Sequence, residues 1–168
     1  AVYYKGEITE KRHPITGVEL KVRKNKFITD TYTDPDNYQY LLHKFPELKI
    51  NLAHFGGFDE WEKYLKNTID EDGEKSWFEK IANLIYNNPS VYTDVSYTLY
   101  NKELIPLLKN ALQDPYLKSK ILFGSDFYMV EQEESEREFS INLRGELGET
   151  DYIKIAEENP LNFLSRKL

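Results

Sequence analysis

Three short runs of apolar, β-branched and aromatic residues constrain what this chain can fold into. They cover residues 48–54, 91–97 and 120–126. Such runs are typical of buried strands. Between them lie segments whose apolar residues recur at helical spacing, as Trp77, Ile81 and Leu84 do. Strands that alternate with helices predict βα units, and therefore a parallel sheet with helices packed against it.

The pattern of the sequence changes near residue 34. Residues 1–33 show no sustained periodicity and contain turn signals such as His13-Pro14, which predict a long loop or a hairpin. An Asp followed by Pro35 then predicts a helix start. From there the βα pattern continues to the last residue. We therefore divide the chain into a loop or hairpin at 1–33 and a region of βα units at 34–168.

Composition and charge exclude several classes of protein. The absence of cysteine excludes a disulfide scaffold and a thiolate metal site. A net charge of -7 argues against nucleic acid as the main partner, because neutralising phosphates requires a basic surface. The Lys- and Arg-rich segment 5–26 is read either as a basic patch or as a solvated loop. No apolar run approaches the roughly 18 residues that span a bilayer, so we expect no membrane association and a cytoplasmic location.

Residues with functional chemistry lie at the carboxyl ends of the predicted strands. They are His54, Asp94 and Asp126. In parallel sheets the carboxyl ends of the strands form the edge where ligands bind. Neighbouring strands would therefore bring one imidazole and two carboxylates together at this edge of the sheet. A structural alternative stays open, because Asp residues at strand ends also cap turns and helices, and a His there often only satisfies local hydrogen bonds.

The same segments carry a resemblance to a known superfamily. Residues 51–57, 91–96 and 121–126 resemble motifs of the amidohydrolase superfamily, in particular the TIM-barrel metal-dependent hydrolases related to aminocarboxymuconate semialdehyde decarboxylase. Residues 158–164 are similar to the closing helix of that family. The resemblance covers the chain from about residue 35 to its end. It implies an α/β fold that corresponds to strands six to eight, with their helices, of a TIM (β/α)8 barrel.

The resemblance implies roles for two side chains. Asp126 would bind a divalent metal, which we expect to be zinc, and would accept a proton from the water that the metal activates. His54 would be a second metal ligand, or would hydrogen-bond the water or the substrate. Asp94 receives no role from the resemblance and is expected to act indirectly. The implied activity is that of a metal-dependent hydrolase whose activated water attacks a C–N or C–O bond of a small molecule.

Other ligands that the family uses are missing from this sequence. It contains no His-x-His pair, and His13 and His43 fall in a predicted loop and a predicted helix. A catalytic zinc site usually needs about three protein ligands, and a TIM barrel takes at least ~200 residues. We therefore expect a carboxyl-terminal fragment that is inactive alone. An N-terminal barrel half, from the same gene or another chain, would supply the remaining ligands.

The sequence leaves two other functions open. A non-oxidative decarboxylase of the same branch would use the same metal-binding residues to break a C–C bond. A non-catalytic interaction module would instead have its open sheet edges covered by a partner chain. A homo-oligomer is a further partner that the sequence leaves open.

Several residues near the predicted strand ends have two interpretations. Tyr97, Tyr100 and Tyr128 follow the strands and either line a substrate pocket or pack within loops. Arg137 and Arg144 either hold a substrate carboxylate or pair with the many acidic residues around them.

Overall fold

A computed structural model describes residues 2–4, 17, 20–22, 31–66 and 75–165 of the chain. The chain divides into two compact units, Ala1–Tyr38 and Gln39–Leu168.

In the smaller unit, strand β1 (Val2–Tyr4) pairs in parallel with strand β2 (Leu20–Val22). The strands of a hairpin run antiparallel, so this pair is not the hairpin expected for residues 1–33. The reason is that the link between the two strands is long, as parallel pairing requires. Most of segment 5–26, including His13, lies outside the described residues. The predicted boundary between residues 33 and 34 stays a prediction.

The larger unit is built on a parallel sheet. Its strands are β3 (Ile50–Leu52), β4 (Val91–Val95) and β5 (Ile121–Phe123), in the spatial order β3-β4-β5. Leu52 lies opposite Thr93, and Thr93 lies opposite Ile121. The parallel sheet and the α/β class are therefore confirmed. Within the described residues the outer edges of β3 and β5 have no strand partner, and their place in a TIM barrel stays a prediction.

One helix, α1, precedes β3, and helices follow each strand of this sheet. They are α1 (Tyr38–Lys44), α2 (Phe58–Leu65), α3 (Trp77–Asn87), α4 (Ile105–Ala111), α5 (Pro115–Lys118), α6 (Phe127–Val130), α7 (Glu136–Leu147), α8 (Glu149–Ile153) and α9 (Asn159–Leu164). A π-helical turn, Lys154–Glu158, joins α8 to α9. Local side chains fix the starts of several helices. Ser76 forms a capping box with Glu79 at α3, and Asp114 accepts hydrogen bonds from two backbone N–H groups of α5.

The core lies where the helices pack against the sheet. Val91, Val95 and Ile121 are completely buried in the central and outer strands. Trp61 and Ile155 are equally buried on the helical side. No helix in the described part of the chain has the length and apolar character needed to cross a membrane.

Side-chain hydrogen bonds attach the last helix to the sheet. The buried Asn159 donates from Nδ2 to the carbonyl of Ile121, in β5, at 2.7 Å. Lys49, just before β3, donates from Nζ to three carbonyls at the end of α9, at 2.7 to 2.9 Å. Those carbonyls belong to Asn162, Phe163 and Ser165. Helix α9 is thus held to both outer strands.

Candidate functional site

His54 lies on a left-handed turn directly after β3. Its φ is 60° and that of the next residue, Phe55, is 48°. Residues other than glycine rarely adopt such values. The backbone N–H of Gly57 closes the turn by donating to the carbonyl of His54 at 2.9 Å. Strand β3 therefore ends at Leu52, two residues earlier than the apolar run 48–54 indicates.

Aromatic packing holds the left-handed turn in place. Phe55 is fully buried and stacks on Phe78 of α3, with ring centroids 4.3 Å apart. Trp61 of α2 donates from Nε1 to the carbonyl of Phe55 at 2.9 Å. At Gly56 a Cβ atom would lie 3.0 Å from both the backbone nitrogen of Phe78 and the Cβ of Trp77, so only glycine fits there without a shift. Surroundings of this kind are what allow strained backbone to persist.

Asp94 connects the turn to the central strand. Its Oδ1 accepts from the backbone N–H of His54 at 3.0 Å, and its Oδ2 accepts from Nδ2 of Asn51 at 2.7 Å. Ser96 donates from Oγ to Oδ1 of Asp94 at 3.2 Å. The same Oγ lies 2.6 Å from Nδ1 of the His54 ring. Both oxygens of Asp94 are thus occupied by groups around His54, and the indirect role expected for Asp94 stays a prediction.

Asp126 is the third described non-glycine residue with a positive φ, at 49°. It occupies the position before α6, but its side chain makes no capping hydrogen bond there. The carboxylate forms no hydrogen bond or ion pair with any residue in the described part of the chain. The capping alternative therefore does not account for Asp126.

Residues 96–100, which follow β4, contact His54, and residues 97–100 also contact helix α6, which begins directly after Asp126. The ring of His54 contacts Ser96, and the carbonyl of His54 accepts from Oγ1 of Thr98 at 3.3 Å. Burial raises the pKa of the Tyr97 phenol, and the charge of Asp126 is among the neighbouring influences that raise it further. Because β3 and β5 flank β4, their axes lie about 10 Å apart, twice the spacing of paired strands.

The tyrosine and arginine candidates differ in their surroundings. Tyr97 stacks on Tyr100 at 4.7 Å beside the site, whereas Tyr128 is 73% exposed on α6. Arg144 pairs with Glu149 through Nε and Oε2 at 2.7 Å, which confirms the surface-pairing interpretation for this arginine.

Arg137 and His43 are exposed on α7 and α1. The interpretation of His43 as a residue of a helix surface is therefore confirmed. His13 lies outside the described residues.

Sequence reasoning missed two members of the site, Asn51 and Ser96. Ser96 follows Asp94 by two residues, and side chains two apart on a strand point to the same face. That spacing is the signal that could have linked Ser96 to Asp94. Asn51 stands inside an otherwise apolar strand, which is a weaker signal.

The comparison with protein families decides which family this fold and site belong to. A family model described as an amidohydrolase matches residues 28–166, a range that contains the whole parallel sheet and every residue of the site. The chain belongs to the amidohydrolase family. This confirms the resemblance drawn from the strand-end motifs. Comparisons with curated proteins and with solved structures return no match.

Amidohydrolases generally use divalent metals, which are bound by oxygen and nitrogen donor atoms of side chains. Nε2 of His54 and the carboxylate of Asp126 make no hydrogen bonds within the described residues, and both are donor types that divalent ions accept. Asp94 is already engaged by three donors. Within the described ranges no three His, Cys, Asp or Glu side chains gather around one point. These residues of the amidohydrolase therefore do not form a complete metal site by themselves.

Proposed function

We propose that this amidohydrolase is a metal-dependent hydrolase in which an activated water attacks a C–N or C–O bond of a small molecule. The observation that carries the proposal is the pair His54 and Asp126. Both stand on left-handed backbone at the carboxyl edge of one parallel sheet, and both present unengaged donor atoms. Strained residues of this kind cluster at functional sites.

The proposed roles follow from the chemistry of the two side chains. Asp126 would bind the cation and take a proton from the attacking water, since its carboxylate has no other hydrogen bond in the described residues. The His54 ring is held on one side by Ser96 and would bind the cation with its other nitrogen, as a second metal ligand. A divalent cation, zinc in our proposal, lowers the pKa of a bound water to about 7.

The remaining ligands and strands would come from outside the described residues. Two donors fall short of the about three that a catalytic zinc ion needs. The outer edges of β3 and β5 are also unpaired within the described part of the chain. Both observations support a complete TIM barrel in which an N-terminal half supplies further strands and metal ligands. We propose that residues 34–168 are the carboxyl-terminal part of that barrel and are inactive without it.

The test compares two substitutions in the full-length gene product. Asp126→Asn and His54→Gln should each reduce bound zinc, measured by elemental analysis after dialysis, and should reduce hydrolysis of a panel of amides, esters and lactones. Losing one ligand should weaken zinc binding about tenfold or more. His43→Gln, at an exposed histidine on α1, is the matched control and should change neither quantity. Unchanged zinc content and activity in Asp126→Asn would refute the proposal.

One observation favours the interaction module as a second candidate, namely the missing third metal donor among the described residues. A full-length protein that binds no zinc, shows no turnover and forms a stable complex through the sheet edges would establish it. The decarboxylase alternative is tested by product analysis with carboxylic acid substrates, because a decarboxylase would release carbon dioxide from them.

A further inference from the structure

We propose that Ser96 is a positioning residue that fixes the tautomer of His54, so that Nδ1 carries the proton and Nε2 is left as the acceptor. The inference deepens the proposed function, because it names the nitrogen that faces the substrate or a metal. Ser96 itself would not touch either of them. It acts on the reacting groups through the imidazole ring.

The Ser96 hydroxyl carries a single proton. Two acceptors compete for it, because Oγ lies 3.2 Å from Oδ1 of Asp94 and 2.6 Å from Nδ1 of His54. Both oxygens of Asp94 already accept from N–H groups, those of His54 and Asn51. A carboxyl group that accepts on both oxygens is serving as a carboxylate, which has no proton to donate.

The charge of Asp94 decides where the Ser96 proton goes. A hydroxyl beside a carboxylate points its proton toward the negative charge, and Oγ of Ser96 lies within hydrogen-bond distance of Oδ1 of Asp94, at 3.2 Å. If Ser96 donated to His54 instead, its lone pairs would face the Asp94 carboxylate without a proton between them. Ser96 therefore donates to Asp94 and accepts from Nδ1–H of His54. The donor chain runs from His54 through Ser96 to Asp94.

The proton on Nδ1 leaves Nε2 of His54 as the acceptor, and the imidazole is more exposed than the side chains of Ser96 and Asp94. Ser96 is 2% exposed, so water has little access to replace its hydroxyl against the ring. The His54 side chain is 44% exposed, whereas that of Asp94 is 16% exposed. A neutral imidazole carries one N–H, so a protonated Nδ1 leaves Nε2 with a lone pair. The nitrogen that contacts Ser96 is thus the donor, and Nε2 is the acceptor.

The experiment reads the tautomer directly and needs no substrate or metal. The protein is labelled with ¹⁵N-histidine, stripped of metal with a chelator, and studied by long-range ¹H–¹⁵N NMR at mildly alkaline pH, where an ordinary imidazole is neutral. The chain contains three histidines, and His54→Gln identifies the signals of His54 by their loss. We expect Nδ1 to show the shift of a protonated nitrogen and Nε2 that of an unprotonated one. The opposite pattern in the wild-type protein overturns the proposal.

Two variants separate the action of Ser96 on the ring from its effect on the fold. Ser96→Ala removes the acceptor, and the two nitrogen shifts of His54 should move toward each other as both tautomers become populated. Thr98→Val is the matched control, because Thr98 bonds the backbone carbonyl of His54 but not its ring. This variant should keep the wild-type shifts. Unchanged shifts in Ser96→Ala would refute the role of Ser96.

The outcome is independent of the hydrolase proposal. If the Nδ1–H tautomer is found and zinc binding or hydrolysis is not, the role of Ser96 stands and the proposed function fails. If Ser96→Ala does not fold, the wild-type spectrum still decides the tautomer.

Discussion

The left-handed turn that carries His54 predicts a graded response to alanine at three glycines. Gly56 has a φ of 93°, and a side chain in left-handed conformation costs about 1–2 kcal/mol. Its new Cβ would lie 3.0 Å from atoms of Trp77 and Phe78, closer than the usual 3.5–4.0 Å between carbon atoms. Overpacking of this kind costs about 1–3 kcal/mol. Gly56→Ala should therefore lower the free energy of unfolding by about 2–5 kcal/mol.

The two other glycines are matched controls. Gly57 isolates the backbone strain from the steric overlap, and Gly124 lacks both. Gly57 has a φ of 90°, but a Cβ there would meet nothing within 4 Å, so Gly57→Ala keeps only the backbone strain. That strain is worth about 1–3 kcal/mol. Gly124, just after β5, has neither a positive φ nor a neighbour within 4 Å. Gly124→Ala should change stability by no more than about 0.5 kcal/mol.

Urea unfolding followed by circular dichroism measures all three variants under the same conditions. The order of destabilisation should be Gly56→Ala first, Gly57→Ala second and Gly124→Ala last. If Gly56→Ala were as stable as Gly124→Ala, the close packing of the turn against α3 would be wrong, and with it the account of how His54 is positioned.

Two further predictions concern the capping groups of the larger unit. Hydrogen bonds from the backbone of Leu117 and from the Tyr86 hydroxyl lower the pKa of Asp114, so its stabilisation is present above the pKa of the unfolded state and is lost as pH falls through the lower folded value. Asp114→Ala should therefore destabilise the protein at neutral pH and much less in strong acid. Urea unfolding across a pH series checks this, and a pH-independent difference would contradict it. Lys49→Met removes three hydrogen bonds to the end of α9 and should cost about 1–3 kcal/mol while speeding amide hydrogen exchange in that helix. Lys44→Met is the control, and equal exchange rates in the two variants would count against the role of Lys49.

The parallel sheet could be predicted because its signals are local. Each strand is a short apolar run and each intervening segment has a helical period, so the alternation alone indicates βα units. The strand ends were less predictable. The runs 48–54 and 120–126 suggest longer strands than the structure has, because His54 and Asp126 adopt left-handed backbone that non-glycine residues seldom take. Packing around the turn, which no local pattern records, makes that conformation stable at His54.

The principal residues of the candidate site could be predicted from the sequence, but the hydrogen bonds that connect them could not. His54, Asp94 and Asp126 follow strands, and the topology of parallel sheets places such residues at one edge. The contact of Ser96 with the His54 ring joins residues 42 positions apart. It depends on the register between β3 and β4 and on the turn at His54, and both are set by tertiary packing. The link from Asn51 to Asp94 has the same origin.

The attachment of Lys49 to the end of α9 has a consequence for the order of events during synthesis. Its most distant acceptor, the carbonyl of Ser165, lies 116 positions further along the chain. A ribosome releases the chain from its amino end, so the lysine emerges long before the carbonyls that it binds. Until residues 162–165 leave the exit tunnel, the nascent sheet lacks these hydrogen bonds, and chaperone binding or proteolytic attack should be concentrated in that interval.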